Sequence, residues 1–146
     1  LGSGLFPMAA HCAHGVRLAL GSDVGGGTGF SLFKEGLVAY QAQMLLKDGY
    51  PLTPTHLLYL ATRAGAAALG IEGEIGDLRA GKRADFIVVR PPKGSTLAVV
   101  LGAAKSAEDA LAALFTLARE ECVAEVYLGG RQAYARGEGQ VPWYAA

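Results

Sequence analysis

Residues 16–31 read VRLALGSDVGGGTGFS, and the fold turns on how the two halves of this stretch are joined. Residues 16–20 are a short apolar run rich in strand formers, as a buried parallel strand is. A glycine loop follows at once, with Asp23 three residues beyond Leu20. In open or barrelled parallel sheets such a position lies at the carboxyl end of a strand, where ligands bind. A carboxylate followed by glycines can reach a metal or a reacting group without crowding. The same residues also suit a plain turn that Asp23 caps. Both readings stay open on these residues alone. A phosphate-cradling P-loop does not fit, because Phe30-Ser31 stands after Gly29 where lysine and then Ser or Thr are needed. Gly25, Gly27 and Gly29 also lack the spacing of a dinucleotide fingerprint.

On the N-terminal side, residues 5–14 suit a short helix stopped by Gly15. On the other side, Phe30, Phe33, Leu37, Tyr40, Met44 and Leu45 recur at helical spacing over residues 30–47, with Gly36 a local weakness. Thr53-Pro54 is a helix start, a hydroxyl N-cap with proline at the first helical position. That helix extends to Gly70, with a break expected at Thr62. Residues 84–89 (ADFIVV) read as a strand ended by Pro91-Pro92. Ser106, with Asp109 three residues on, opens a helix over residues 107–121. Residues 124–128 and 131–135 flank Gly129-Gly130, the signature of a tight hairpin. The pattern is α/β for the first seventy residues or so, then a β-rich module carrying one helix.

The chain has 146 residues, with 13 basic and 13 acidic side chains and no net charge. That balance gives no basic excess for nucleic acid or an acidic membrane surface. No apolar run approaches the roughly 20 residues that span a bilayer. Hydrophobic residues make up 51% and charged ones 18%, so apolar surface is expected to need a cover. The opening LGSGLFPMAA has neither a basic region nor an initiator Met, and reads as the middle of a longer segment. Cys12 and Cys122 are too few for a disulfide framework, which favours a reducing, cytoplasmic setting. His11, Cys12 and His14 bring three potential ligands within four residues. On a short helix without a second ligand pair they do not close a zinc site. Tyr40, Tyr50, Tyr59 and Trp143 could stack on a purine, although aromatics at helical spacing usually serve the core. Lys82 and Arg83 are expected in a solvated turn.

Residues 21–31 (GSDVGGGTGFS) resemble the last barrel strand of guanine deaminases, zinc-dependent amidohydrolases whose motif reads roughly LGTDVGGGTSFS. Ser22 stands where Thr is usual and Gly29 where Ser is usual; the aspartate is kept. The preceding LGSGLF and HGVRLALG are similar to the lead into that motif, and LLYLATRAGAAALG to the helical segment after it. Residues 75–89 (IGDLRAGKRADFIVV) resemble the phrase with which amidohydrolases leave the barrel for a small β-sandwich. EVYLGGRQAY resembles that sandwich's final hairpin. The resemblance implies the end of a (β/α)8 barrel over residues 1–72. Residues 73–146 would then form the C-terminal part of the β-sandwich, with the helix at about 107–121.

The resemblance also implies a reaction: hydrolysis of guanine to xanthine and ammonia by a metal-activated water. The metal would be zinc, or alternatively iron. Family members hold it with an HxH pair, a further histidine and an aspartate. Asp23 matches that aspartate, which binds the metal and takes up the water proton. Val24, Gly25, Gly26 and Gly27 are candidates for substrate contact. His11, His14 and His56 are the only histidines and form no HxH pair. The chain alone is therefore expected to hold no catalytic metal and to be inactive. Other readings are a cytosine or triazine deaminase, disfavoured by DVGGG, and a non-catalytic binding module. Apolar helix faces left without strands are expected to drive a homo-oligomer.

Overall fold

The structure is a computed structural model that describes residues 4–137. Six α-helices and three strands follow one another in those residues: α1 (Met8–Ala13), α2 (Leu32–Leu45), α3 (Pro54–Ala61), α4 (Arg63–Ala68), β1 (Phe86–Val89), α5 (Thr96–Ala103), α6 (Ala107–Leu117), β2 (Val123–Leu128) and β3 (Arg131–Ala135). A single 3-10 turn, Glu120–Cys122, precedes β2.

Local chemistry explains most boundaries. Thr53 Oγ1 accepts the His56 N–H at 3.2 Å while His56 Nδ1 accepts the Thr53 N–H at 3.2 Å. With Pro54 at the first position this reciprocal cap starts α3. The expected break falls at Thr62, whose φ of −131° and ψ of −88° separate α3 from α4. Its hydroxyl donates to the Leu58 carbonyl at 2.6 Å, the back-bonding that competes with a helical ladder. Ser106 Oγ accepts the Asp109 N–H at 3.0 Å and starts α6 as expected. The helix ends at Leu117 rather than at 121, and the 3-10 turn takes over the remainder.

The strands form one antiparallel sheet in the order β1-β2-β3. Phe86 pairs with Tyr127, Ile87 with Val126, and Leu128 with Arg131. Gly129 and Gly130 have φ of +58° and +79°, the backbone that a two-residue hairpin with right-handed strand twist requires. Asp85 Oδ1 accepts the Gly129 N–H at 2.6 Å and the Ala84 carbonyl accepts the Gly130 N–H at 2.9 Å, which ties the hairpin to the start of β1.

Three further expectations about the fold need correcting. Residues 16–20 make no strand ladder among the described residues; the Leu20 N–H donates instead to the Leu60 carbonyl at 3.0 Å. Leu18 and Leu20 still turn inward against Met8, Leu57, Leu60 and Phe115, while Val16, Arg17 and Ala19 are exposed. The burial of the segment is one-sided, as that of a strand without neighbours would be. Second, the C-terminal half carries an additional helix, α5, capped by Ser95 and anchored through buried Leu97 on Ala113, Ala118 and Cys122. Third, Gly36 is no weak point of α2. It is buried, and a Cβ there would lie 2.5 Å from the Phe115 ring. Its missing side chain lets α6 approach α2, and Phe33 then meets Phe115 edge-on with ring centroids 5.6 Å apart. Phe33 packs on both hydrophobic clusters and so joins the helical part to the base of the sheet.

Candidate functional site: the Asp23 loop

Asp23 has a φ of +45°, the left-handed region that few residues other than glycine enter and that Asp tolerates. Its carbonyl accepts the N–H groups of Gly26 at 2.9 Å and Gly27 at 2.5 Å, which coils the chain into a tight turn. The glycines are needed for space. A Cβ on Gly26 would stand 2.7 Å from Asp23 Oδ2, and one on Gly27 would overlap the Ser22 carbonyl oxygen. Asp23, Val24 and Gly25 are exposed, and among the described residues the Asp23 carboxylate has no ion-pair partner. The expected loop is thus formed, with its carboxylate presented to the outside.

The far end of the loop is fastened to α2. Glu35 is buried, and its Oε1 accepts the Thr28 hydroxyl at 2.6 Å and the Thr28 N–H at 3.2 Å. Lys34 Nζ donates to the Thr28 carbonyl at 2.6 Å. Sequence pattern does not single out Glu35; its only signal is an acidic residue in the first turn after Ser31.

The remaining candidates are placed elsewhere. His11 Nδ1 and His14 Nδ1 donate to the carbonyls of Pro7 at 3.0 Å and Ala10 at 2.7 Å, so each is turned onto its own helix. Cys12 is exposed and Cys122 buried, both as free thiols. Tyr50 packs at the core edge and against the His56 ring, whereas Tyr40 and Tyr59 are exposed. Trp143 lies outside the described residues. No group of three or more His, Cys, Asp or Glu side chains that could hold a metal occurs among the described residues.

The residues of the IGDLRAGKRADF phrase serve structure. Asp77 Oδ2 receives Arg63 Nε at 3.3 Å, Arg79 NH2 at 3.0 Å and Lys82 Nζ at 3.0 Å. Lys82 is not solvated as expected: its side chain is 9% exposed. It also donates to the carbonyls of Glu72 at 2.5 Å and Ile75 at 3.3 Å, which satisfies the buried ammonium. Arg83 is exposed, as expected. Hydrogen bonds from Arg79 and Lys82 hold the Asp77 carboxyl well below the usual range, against a desolvation that acts the other way. On the sheet, the Tyr127 hydroxyl donates to Glu125 Oε2 at 2.7 Å and Arg90 NH1 to Glu125 Oε1 at 2.7 Å. These contacts, the Tyr127 bond foremost, depress the Glu125 carboxyl, and the same bond raises the Tyr127 phenol.

Comparison with known proteins agrees with this layout. A probable guanine deaminase of Deinococcus radiodurans is 58% identical over 137 residues, covering 93% of this chain and 31% of that protein. The guanine deaminase of Escherichia coli is 34% identical over 136 residues, covering 93% of this chain and 30% of its own length. A solved structure of E. coli guanine deaminase superposes with a TM-score of 0.85 at 33% identity, over 92% of this chain and 31% of that one. A 5-methylthioadenosine/S-adenosylhomocysteine deaminase of Moorella thermoacetica is 34% identical over 143 residues, 94% of this chain and 31% of the other. The chain thus spans about a third of the length of the curated relatives it matches. It carries a fragment of their fold, and the amidohydrolase family pattern runs through residues 1–133. With a match this extensive, across both the Asp23 loop and the Asp77 turn, the chain belongs to the amidohydrolase family.

Proposed function

We propose that this chain is the C-terminal segment of a guanine deaminase, supplying one metal ligand and proton acceptor, Asp23, to a site completed by other residues. The observation that carries this reading is the exposed Asp23 carboxylate, unpaired among the described residues and held over a loop whose glycines leave no side chains in its way. Similarity to guanine deaminases across both motifs supports the substrate.

A lone anionic oxygen pair, free of cations among the described residues, suits one position of a divalent metal's ligand shell, and is too little for a whole one. Zinc, or iron, when bound supplies a water acidified toward neutrality. Asp23 then takes the proton that the water loses as it attacks the purine carbon bearing the amine. Of the water's two protons, one ends on the departing amine, which leaves as ammonia, and the other on a ring nitrogen; the water's oxygen stays on that carbon, so guanine becomes xanthine. Val24, Gly25, Gly26 and Gly27 form the wall of the loop that the purine approaches. The 146-residue chain alone is inactive and holds no catalytic metal. In domain terms, residues 1–72 are the end of the barrel and residues 73–146 the C-terminal part of the sandwich. Free Cys12 and Cys122 favour a cytoplasmic setting, and no helix among the described residues is long and apolar enough to cross a membrane.

Phe30 and Leu45 (both 76% exposed) and Leu69 (75%) support the further reading that the chain self-associates to cover apolar surface. Light scattering at micromolar concentration tests it; a monomer mass refutes it. For the reaction, the test is ammonia release from guanine and from 5′-methylthioadenosine by a longer polypeptide containing this chain. Preference for methylthioadenosine, or no release from either, refutes guanine deamination.

A further inference from the structure

The hydrogen bonds of Glu35 are out of keeping with a residue in the first turn of a helix. Its Oε1 takes both the hydroxyl and the N–H of Thr28, seven residues back and outside the helix. Ser31, the N-cap residue of α2, makes no side-chain cap. A buried carboxylate that satisfies two donors of one loop residue, one of them at 2.6 Å, makes a strong charge-assisted contact. Lys34 takes the third polar group of Thr28, its carbonyl. At the other end of the loop the Leu20 N–H is bonded to Leu60. Everything between those two fastenings, Asp23 included, is positioned by them and by the Asp23 turn itself.

We propose that Glu35 is a positioning residue for Asp23: through Thr28 it anchors the glycine loop to α2 and so fixes where the Asp23 carboxylate stands. The proposal rests on the reading of Asp23 as the reacting carboxylate for its consequence in catalysis, but the anchoring itself is measurable without substrate.

Amide hydrogen exchange on the full 146-residue chain decides it, with Glu35→Ala, Thr28→Val, the double variant and Thr28→Ser. The Gly26 and Gly27 N–H groups report the loop, and the Leu57 N–H, bonded to Thr53 at 3.0 Å, reports the helical core. Glu35→Ala is expected to speed loop exchange by about 10-fold or more, and Thr28→Val by as much or somewhat less because it keeps the Thr28 N–H bond. The double variant is expected to speed it by no more than Glu35→Ala alone, since the hydroxyl bond lost in Thr28→Val is already lost with Glu35. Thr28→Ser keeps hydroxyl and N–H and is expected to exchange like the parent, while Leu57 stays within about twofold throughout. Thr28 is exposed, so its variants keep the test valid if Glu35→Ala fails to fold. Unchanged loop exchange, additive effects, or acceleration of loop and Leu57 together would overturn the proposal. In a longer polypeptide that deaminates guanine, Thr28→Val is expected to lower kcat about 10-fold with KM nearly unchanged, and Thr28→Ser to restore it. Full kcat in Thr28→Val would also overturn it. A parent without activity defeats only the deaminase reading, since loop exchange is read without substrate.

Discussion

Two aspartates in this chain share a residue type and differ in everything around it. Asp23 stands exposed at a φ of +45°, without a cation among the described residues. Asp77 stands half-buried with three cationic groups within 3.3 Å of a single oxygen. A carboxylate that is to bind a metal, the role proposed for Asp23, has to be kept from lysines and arginines, which would neutralise it first. One that ties a turn together needs them. Both lie in stretches that mark the family, yet of the two only Asp77 is held by cations among the described residues. Motif membership by itself therefore says little about chemistry; the neighbours decide.

The strongest way to break the contrast is Asp23→Asn in a longer polypeptide that deaminates guanine. With the role proposed for Asp23, losing the anionic ligand and proton acceptor should lower ammonia release by about 10³-fold or more. Asn tolerates the left-handed backbone, so urea unfolding of the 146-residue chain should change by less than about 0.5 kcal/mol. Full activity in that variant would make Asp23 a turn residue like many others. Next in size is Gly27→Ala, whose Cβ would overlap the Ser22 carbonyl and force the turn to open. Displacing the carboxylate by an ångström or so should lower kcat about 10²-fold, read by the same ammonia assay.

The matching change beside Asp77 is Gly76→Ala. Gly76 has a φ of +97°, and a Cβ there would meet Ala66 Cβ at 2.8 Å. Its effect should fall on stability, about 1–3 kcal/mol in urea unfolding, as strain and overpacking combine. A kcat loss in the longer polypeptide with unaltered stability would erase the distinction between the two regions. The smallest effect belongs to Asp77→Asn. Asp77 titrates below its ordinary 3.8 when folded, so it adds stability that is complete above the unfolded value. As pH falls below about 4 the unfolded chain takes up the proton first, and the contribution fades until the folded carboxyl titrates as well. Thermal unfolding of parent and variant should therefore differ most near neutrality, converge in acid, and differ less in high salt. A gap that widened in acid would refute the ion-pair account.

What the sequence determined alone is local. The caps at Thr53 and Ser106, the break at Thr62, the Gly129-Gly130 turn and the coil around Asp23 each depend on groups within a few residues of one another, so their chemistry is written contiguously. Family phrases pointed to the amidohydrolase fold, of which the chain carries a fragment. Tertiary structure decided the rest. Gly36 is required by Phe115, 79 residues away in the chain, and reads as a helix defect until that ring is in place. Lys82 looks solvated until Asp77 and two carbonyls converge on its ammonium. The apolar run at residues 16–20 has strand character, yet a ladder needs a second strand alongside, and the Leu20 N–H goes to helix α3 instead. Glu35 is polar by composition and buried by circumstance, since only the returning loop brings Thr28 to its carboxylate. Backbone preference is set by neighbours in the chain, whereas burial and charge pairing are set by neighbours in space, and those exist only once the chain has folded.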